Sequence, residues 1–280
     1  MAEALERTKR YFLELSYKGT QYHGWQTQRN AIAVQDVVQK AFSQLMQGHV
    51  AVVGSSRTDT GVHAKVQFAH VDLPTSFAPS RLIHRLNALT PPDIVLHRLI
   101  PVDSAAHARF DALHRCYTYY ILRKRSAFCS ETHWCMEREL NVDAMRRAAH
   151  GLVGRKNFAK LSKRGSDNLH HWCSVDCAQW AEHGDLLVFH IRANRFLRGM
   201  VRFIVGALWQ VGTGQLSFKT WQTLLDGSCR LTPKLAPPHG LFLTQICYPA
   251  RIFAHAPPSN FSSNRCSCNL NSYEAAENFF

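Results

Sequence analysis

Residues 186–225 contain no aspartate and no glutamate, although Arg192, Arg195, Arg198 and Arg202 all fall within them. Acid is scarce throughout: 20 Asp and Glu stand against 33 Lys and Arg, for a formal net charge of +13. The last thirty residues sum to zero through Arg251, Arg265, Glu274 and Glu277, so the excess lies in residues 1–250. A folded body with this balance favours a polyanionic partner, nucleic acid ahead of a membrane surface. Long apolar runs are also missing. The most apolar stretch, 196–211, is broken by Arg198 and Arg202, which excludes it as a membrane span. Residues 1–10 carry Glu3 and Glu6 and offer neither an apolar signal core nor an acid-free transit peptide, so the expected location is the cytoplasm.

Nine cysteines are too few for a disulfide scaffold at this length, and Cys116, Cys129, Cys135, Cys229 and Cys247 are scattered as reduced thiols would be. Cys173 and Cys177, preceded by His170 and His171, allow a zinc reading. The alternation of Cys173, Val175 and Cys177 with Trp172, Ser174 and Asp176 fits a strand better, and no second pair with finger spacing follows in the folded body. No glycine-rich nucleotide fingerprint is present either. From these residues a metal is not the expected reading.

Periodicity predicts strands over 11–17, 49–53, 65–73 and 93–102, with helices over 34–46 and 80–89. The first half thus reads β-α-β-β-α-β. The second half predicts strands over 115–122, 172–181, 185–193 and 240–248, and helices over 142–153, 196–211 and 218–225. The fold class is α+β, with two ferredoxin-like, RRM-like βαββαβ halves whose antiparallel or mixed sheets join. The halves are expected at 1–104 and 105–250. Residues 251–280 lose periodicity and are expected to be a disordered tail.

Arg57-Thr58-Asp59-Thr60-Gly61-Val62-His63 places one carboxylate on a loop directly after an apolar run. Alone, such an Asp reads as a turn residue capping its own backbone. Arg202 is out of place in Met200-Val201-Arg202-Phe203-Ile204-Val205, where a helix should bury apolar side chains. A buried arginine needs an anionic partner or must snorkel to water, and Asp59 is the natural candidate partner. Residues 109–125 combine Arg109, Arg115, Arg123, Lys124 and Arg125 with Phe110, Tyr117, Tyr119 and Tyr120 against one acid, Asp111. Residues 155–164 hold five bases and no acid. Cations for phosphates and aromatic faces for unstacked bases are what RNA recognition requires.

These pieces together resemble the TruA-type tRNA pseudouridine synthases. The family motif G-R-T-D-A-G-V-H-A is matched by Ser56-Arg57-Thr58-Asp59-Thr60-Gly61-Val62-His63-Ala64. Ser56 replaces the usual glycine and Thr60 the alanine. Gly24-Trp25-Gln26-Thr27-Gln28, Ala108-Arg109-Phe110 with Arg115-Cys116-Tyr117-Thr118-Tyr119, Asn194-Arg195-Phe196-Leu197 with Met200-Val201-Arg202, and Ala236-Pro237-Pro238-His239-Gly240-Leu241 match further landmarks in order.

The resemblance implies a pseudouridine synthase fold and conversion of uridine to pseudouridine in the anticodon arm of tRNA, at positions 38, 39 and 40, without cofactor or metal. It implies a homodimer with tRNA across both subunits. Asp59 is implied as the essential carboxylate, attacking the ribose C1′ or removing a C2′ proton. Arg202 is implied as its ion-pair partner, and Arg57 as the group holding the flipped nucleotide out of the stack. Tyr117 is implied to pack on the target base, and Arg109, Arg115, Arg195 and Arg198 to contact phosphates. The competing expectation is a non-catalytic RNA-binding protein or RNA chaperone on the same fold. A pure binder has no use for the Asp59–Arg202 combination.

Overall fold

The computed structural model describes residues 8–75, 77–163, 165 and 169–254. In the first half, β1 (Thr8–Tyr17), α1 (Val34–Met46), β2 (Val53–Gly54), β3 (His63–Pro74), α2 (Pro79–Asn87) and β4 (Ile94–Pro101) follow the expected β-α-β-β-α-β order. The second half contains β5 (His114–Leu122), β6 (Trp134–Cys135), α3 (Val142–His150), β7 (Gly154–Asn157), β8 (Trp172–His183), β9 (Leu186–Ala193), α4 (Met200–Gly212), α5 (Phe218–Leu225) and β10 (Leu241–Cys247).

The strands form one ten-stranded sheet with main order β4-β1-β3-β10-β5-β9-β8-β7. β10 joins the two halves. It runs parallel to β3 through Phe242↔His63 and Leu243↔Ala64, and antiparallel to β5 along its other side. The remaining main-path pairings are antiparallel. All five helices bury apolar residues in one contiguous core: Val34, Val38 and Phe42 of α1, Leu82 and Leu86 of α2, Met145 of α3, Ile204 and Leu208 of α4, and Trp221 of α5. A smaller cluster of Tyr120, Leu122, Cys129, Leu186 and Val188 forms separately. Mixed α+β architecture on a large, mostly antiparallel sheet is the fold class expected from the sequence.

Local chemistry explains where elements depart from expectation. Residues 49–53 contribute only Val53 to β2, because α1 side chains take their backbone bonds. Gln39 Oε1 accepts from Val52 N–H at 3.2 Å, Ser43 Oγ from Val50 N–H at 3.3 Å, and Gln35 Nε2 donates to Val52 O at 2.8 Å. β7 was not expected, since Gly-Arg-Lys-Asn has no apolar alternation. It forms by pairing with β8 at the sheet edge. α4 begins at Met200 instead of residue 196. The preceding backbone is engaged elsewhere: Lys163 N–H donates to Arg198 O and Met200 N–H to Leu197 O.

Ile252 and Phe253 are buried, with Phe253 ringed by Phe12, Phe68 and Tyr248. The folded body therefore reaches Ala254. The rest of the expected tail, 255–280, lies outside the described residues. Cys116, Cys129, Cys135, Cys173, Cys177 and Cys229 are free thiols, whereas Cys247 is disulfide-bonded, contrary to its expectation as a thiol. Among the described residues no group of three or more His, Cys, Asp or Glu is arranged to hold a metal, and no helix is long and apolar enough to cross a membrane.

Candidate active site

Asp59 sits on the loop between β2 and β3, whose backbone is gripped from several directions. Val62 N–H donates to Asp59 O at 3.1 Å, closing the turn, and Gly61 N–H donates to Tyr22 O at 3.2 Å. The hydroxyls of Tyr17 and Thr58 are 2.9 Å apart. Gly24 presses on the same turn. Its φ is +84°, and a Cβ there would come within 2.2 Å of Thr58 O. The Gly24-Trp25 motif is thus a backbone seat for the Asp59 loop.

His63 ties that loop to three other segments. Its Nδ1 accepts from Gly19 N–H at 3.0 Å, so the neutral ring carries its proton on Nε2, which lies 3.0 Å from both Glu131 O and His239 O. The ring stacks on Phe242 at 4.5 Å. Burial pushes its pKa down to about 4, ahead of the two carbonyl bonds, which oppose the shift. His63 belongs to the recognised motif, but its linking role had no sequence signal.

Arg202 reaches the loop from the first turn of α4. Its Nη1 lies 3.4 Å from Asp59 Oδ2, with side-chain exposures of 11% for Arg202 and 14% for Asp59. Its Nε donates to Ala236 O at 2.8 Å, while Arg202 O accepts from Ala236 N–H. Ala236 thus holds Arg202 both by its backbone carbonyl and by its guanidinium. α4 can approach the 234–236 segment only because residue 206 is glycine, where a Cβ would fall 1.7 Å from Lys234 O. An ion pair in a largely dry place is little screened and strongly directional.

Tyr117 lies on β5 between Leu243 of β10 and Ile191 of β9. It is buried, with its ring edge-on to Phe196 at 5.1 Å. Burial, then the nearby Tyr17 phenol, and further Asp59, raise its pKa far above the usual phenol value, while Arg115 opposes the shift. The hydroxyl therefore stays protonated at neutral pH and serves as a donor or packing surface, and is a poor base.

Arg57, expected at the flipped nucleotide, and the four arginines expected at phosphates divide into two groups. Arg57, Arg109 and Arg198 are exposed and Arg195 is half-buried. Partial desolvation by its neighbours, followed by the charges of Arg57 and Arg195, depresses the pKa of Arg109, so these three guanidinium groups share one patch. Arg115 is different. It is buried, and its Nη atoms donate to Ala112 O, Asn194 O, Ser55 O and Arg109 O at 2.5–3.1 Å. Its expected phosphate contact is corrected by this geometry: the guanidinium is spent on four backbone carbonyls. Arg115 joins the end of β2, the 109–112 turn and the end of β9 beneath the cationic patch.

The tRNA pseudouridine synthase family model matches residues 15–111 and 148–249. The chain belongs to the tRNA pseudouridine synthase family. Membership makes it an isomerase acting on tRNA. The chain is similar to tRNA pseudouridine synthase A of Porphyromonas gingivalis, with 42% identity over 250 residues, covering 87% of this chain and 99% of the relative. The same-named proteins of Parabacteroides distasonis and Chlorobaculum tepidum are 38% and 37% identical over 247 and 248 residues. These matches cover 88% and 87% of this chain and 98% and 100% of the relatives. Within this pseudouridine synthase, Arg57, Asp59, Arg109, Arg195, Arg198 and Arg202 fall inside the segments matched by the family model, whereas Arg115 and Tyr117 lie between them.

Proposed function

We propose that the chain converts uridine to pseudouridine in the anticodon stem-loop of tRNA, at positions 38, 39 and 40. The observation that carries this reading is the Asp59–Arg202 ion pair, made between residues 143 positions apart, with Arg57, Arg109 and Arg195 close enough to act on one another nearby. In the reaction the N1–C1′ bond breaks, the uracil turns over and a C5–C1′ bond forms. The C5 proton leaves and N1 gains one, so the product is an isomer of the substrate.

Asp59 is the essential carboxylate, acting at the ribose. Arg202 aims it through a guanidinium that Ala236 O holds in register. Arg57, two residues before Asp59, holds the target nucleotide out of the stack. Tyr117 packs against the uracil as a neutral phenol. Arg109, Arg195 and Arg198 engage phosphates, and Arg115 positions the turn beneath them. The working unit is a cytoplasmic homodimer with tRNA lying across both subunits. Each protomer divides into an N-terminal half, 1–104, carrying the carboxylate loop, and a C-terminal half, 105–250, carrying Tyr117 and Arg202.

The test uses tRNA labelled with tritium at uracil C5. Release by the native chain and loss of release by Asp59→Asn, with tRNA binding retained, is the expected result. Equal release from both proteins would remove Asp59 from the chemistry. No release from either would favour a binding protein on this fold. Mapping the modified uridines in the product checks the anticodon-arm assignment.

A further inference from the structure

Phe110 is 76% exposed, yet the ring is held in place by a chain of ring contacts, tilted against His107 and from there edge-on to His70. Its centroid lies 4.2 Å from that of His107, and His107 lies 4.5 Å from His70. His70 Nδ1 accepts from Ala108 N–H at 3.2 Å, tying these rings to β3. The turn beneath the ring is equally fixed. His107 Nδ1 faces Arg109 N–H and Phe110 N–H at 3.1 and 3.3 Å, and Asp111 Oδ2 accepts from His107 N–H at 2.7 Å. Arg115 holds the carbonyl of Arg109 from below.

The surroundings of the ring are cationic. The Arg109 guanidinium carbon lies 5.8 Å from the Phe110 centroid. Arg57 and Arg195 both bear electrostatically on Arg109, and no carboxylate is among the groups that shift it. Arg115 also bonds Ser55 O, so the Phe110 turn is anchored two residues before Arg57 and four before Asp59. A rigid, open aromatic face amid guanidinium groups suits a flat, electron-rich partner carrying negative charge.

We propose that Phe110 is a stacking platform for an unpaired nucleobase of the substrate RNA next to the target uridine, with Arg109 and Arg195 gripping the flanking phosphates and Arg57 holding the turned-out nucleotide beside it. This rests on the RNA-modifying reading above and adds to it a positioning residue. Turning one nucleotide out of a stack leaves its neighbour with an exposed face, and that lost stacking is a cost of reaching the target. A pre-built ring offsets it without ordering a mobile side chain. Phe110 touches no reacting atom; it acts on where the RNA lies.

The test compares Phe110→Ala, Phe110→Leu and Phe110→Trp in the full chain with an unmodified tRNA transcript. Phe110→Ala should raise KM for tRNA about tenfold, toward the lower end of what one stacked base contributes, while kcat at saturation stays near native. Phe110→Trp should restore KM, and Phe110→Leu should not, since it has no π face. Tryptophan fluorescence of Phe110→Trp, after subtraction of the native signal from six tryptophans, should be quenched when tRNA is added. A native KM for Phe110→Ala would overturn the proposal. So would a KM defect that tracks loss of subunit association in sedimentation, which would assign the ring to a protein contact. If the native chain released no tritium, the reaction assignment would fall, while tRNA affinity and quenching would still decide the platform.

Discussion

Arg202 Nη1 meets Asp59 Oδ2 at 3.4 Å across 143 residues of sequence, and the same guanidinium donates through Nε to Ala236 O. Two directional bonds at one end of one side chain demand a planar fork. Arg202→Lys keeps the charge but cannot make both bonds. Single-turnover rates should therefore fall more than tRNA affinity does, and added guanidinium should not restore a native KM-to-kcat balance. Asp59→Asn should lower kcat by about 10²–10⁴-fold, the range for one well-placed acid–base group. Tritium release under saturating tRNA measures both.

Arg115 and Arg109 should separate cleanly. Arg115→Met removes a charged donor from four buried carbonyls and should cost on the order of 3 kcal/mol of stability. Arg109→Ala should leave stability nearly unchanged. In tRNA binding the order reverses: Arg109→Ala should reduce the slope of log affinity against log salt by about 0.7–0.9. Arg115→Met should leave that slope unaltered in the protein that remains folded. Thermal denaturation and salt titrations check the pair.

Gly24 is the seat of the carboxylate loop, so its backbone conformation reaches the chemistry. Gly24→Ala combines a φ of +84° with a Cβ 2.2 Å from Thr58 O. A stability loss of about 1–3 kcal/mol is expected, together with a kcat defect larger than that loss alone would produce. If the melting temperature fell while kcat at a safely lower temperature stayed native, the seating role would be wrong.

Acid should destabilise the fold partly through His63. Its folded pKa is depressed to about 4, below the ordinary value near 6.5. As pH falls below about 6.5, the unfolded chain binds a proton that the folded chain refuses until about pH 4. Stability is therefore full above this window and declines across it, by at most about 1.4 kcal/mol per pH unit for one such group. His63→Gln should lower the plateau and flatten the acid limb in urea titrations. An unchanged slope would show that the contact to Gly19 N–H does not resist protonation.

Much of the fold was legible because its elements announce themselves locally. The apolar stripe of α1 gave its bounds over 34–46, and α5 matched its expected 218–225. The polar β7 was illegible, because only the open edge of β8 makes those four residues a strand. The missing ladder at 50–52 was hidden for the opposite reason. Its residues look like a strand, but Gln35, Gln39 and Ser43 of the neighbouring helix take their bonds.

The candidate site divides in the same way. Sequence alone singled out the side chains proposed to bear its chemistry: one carboxylate in an Arg57–Asp59–Gly61 loop, an arginine in an otherwise apolar helix, and cations interleaved with aromatics. It also carried family membership, since the ordered motifs are themselves linear. Tertiary structure alone decided how those side chains are used. Arg115 and Arg109 are the same residue type six positions apart, yet one is spent on four carbonyls and the other faces solvent. Burial and partner geometry come from segments 55, 112 and 194 meeting in space, and no local pattern encodes that meeting.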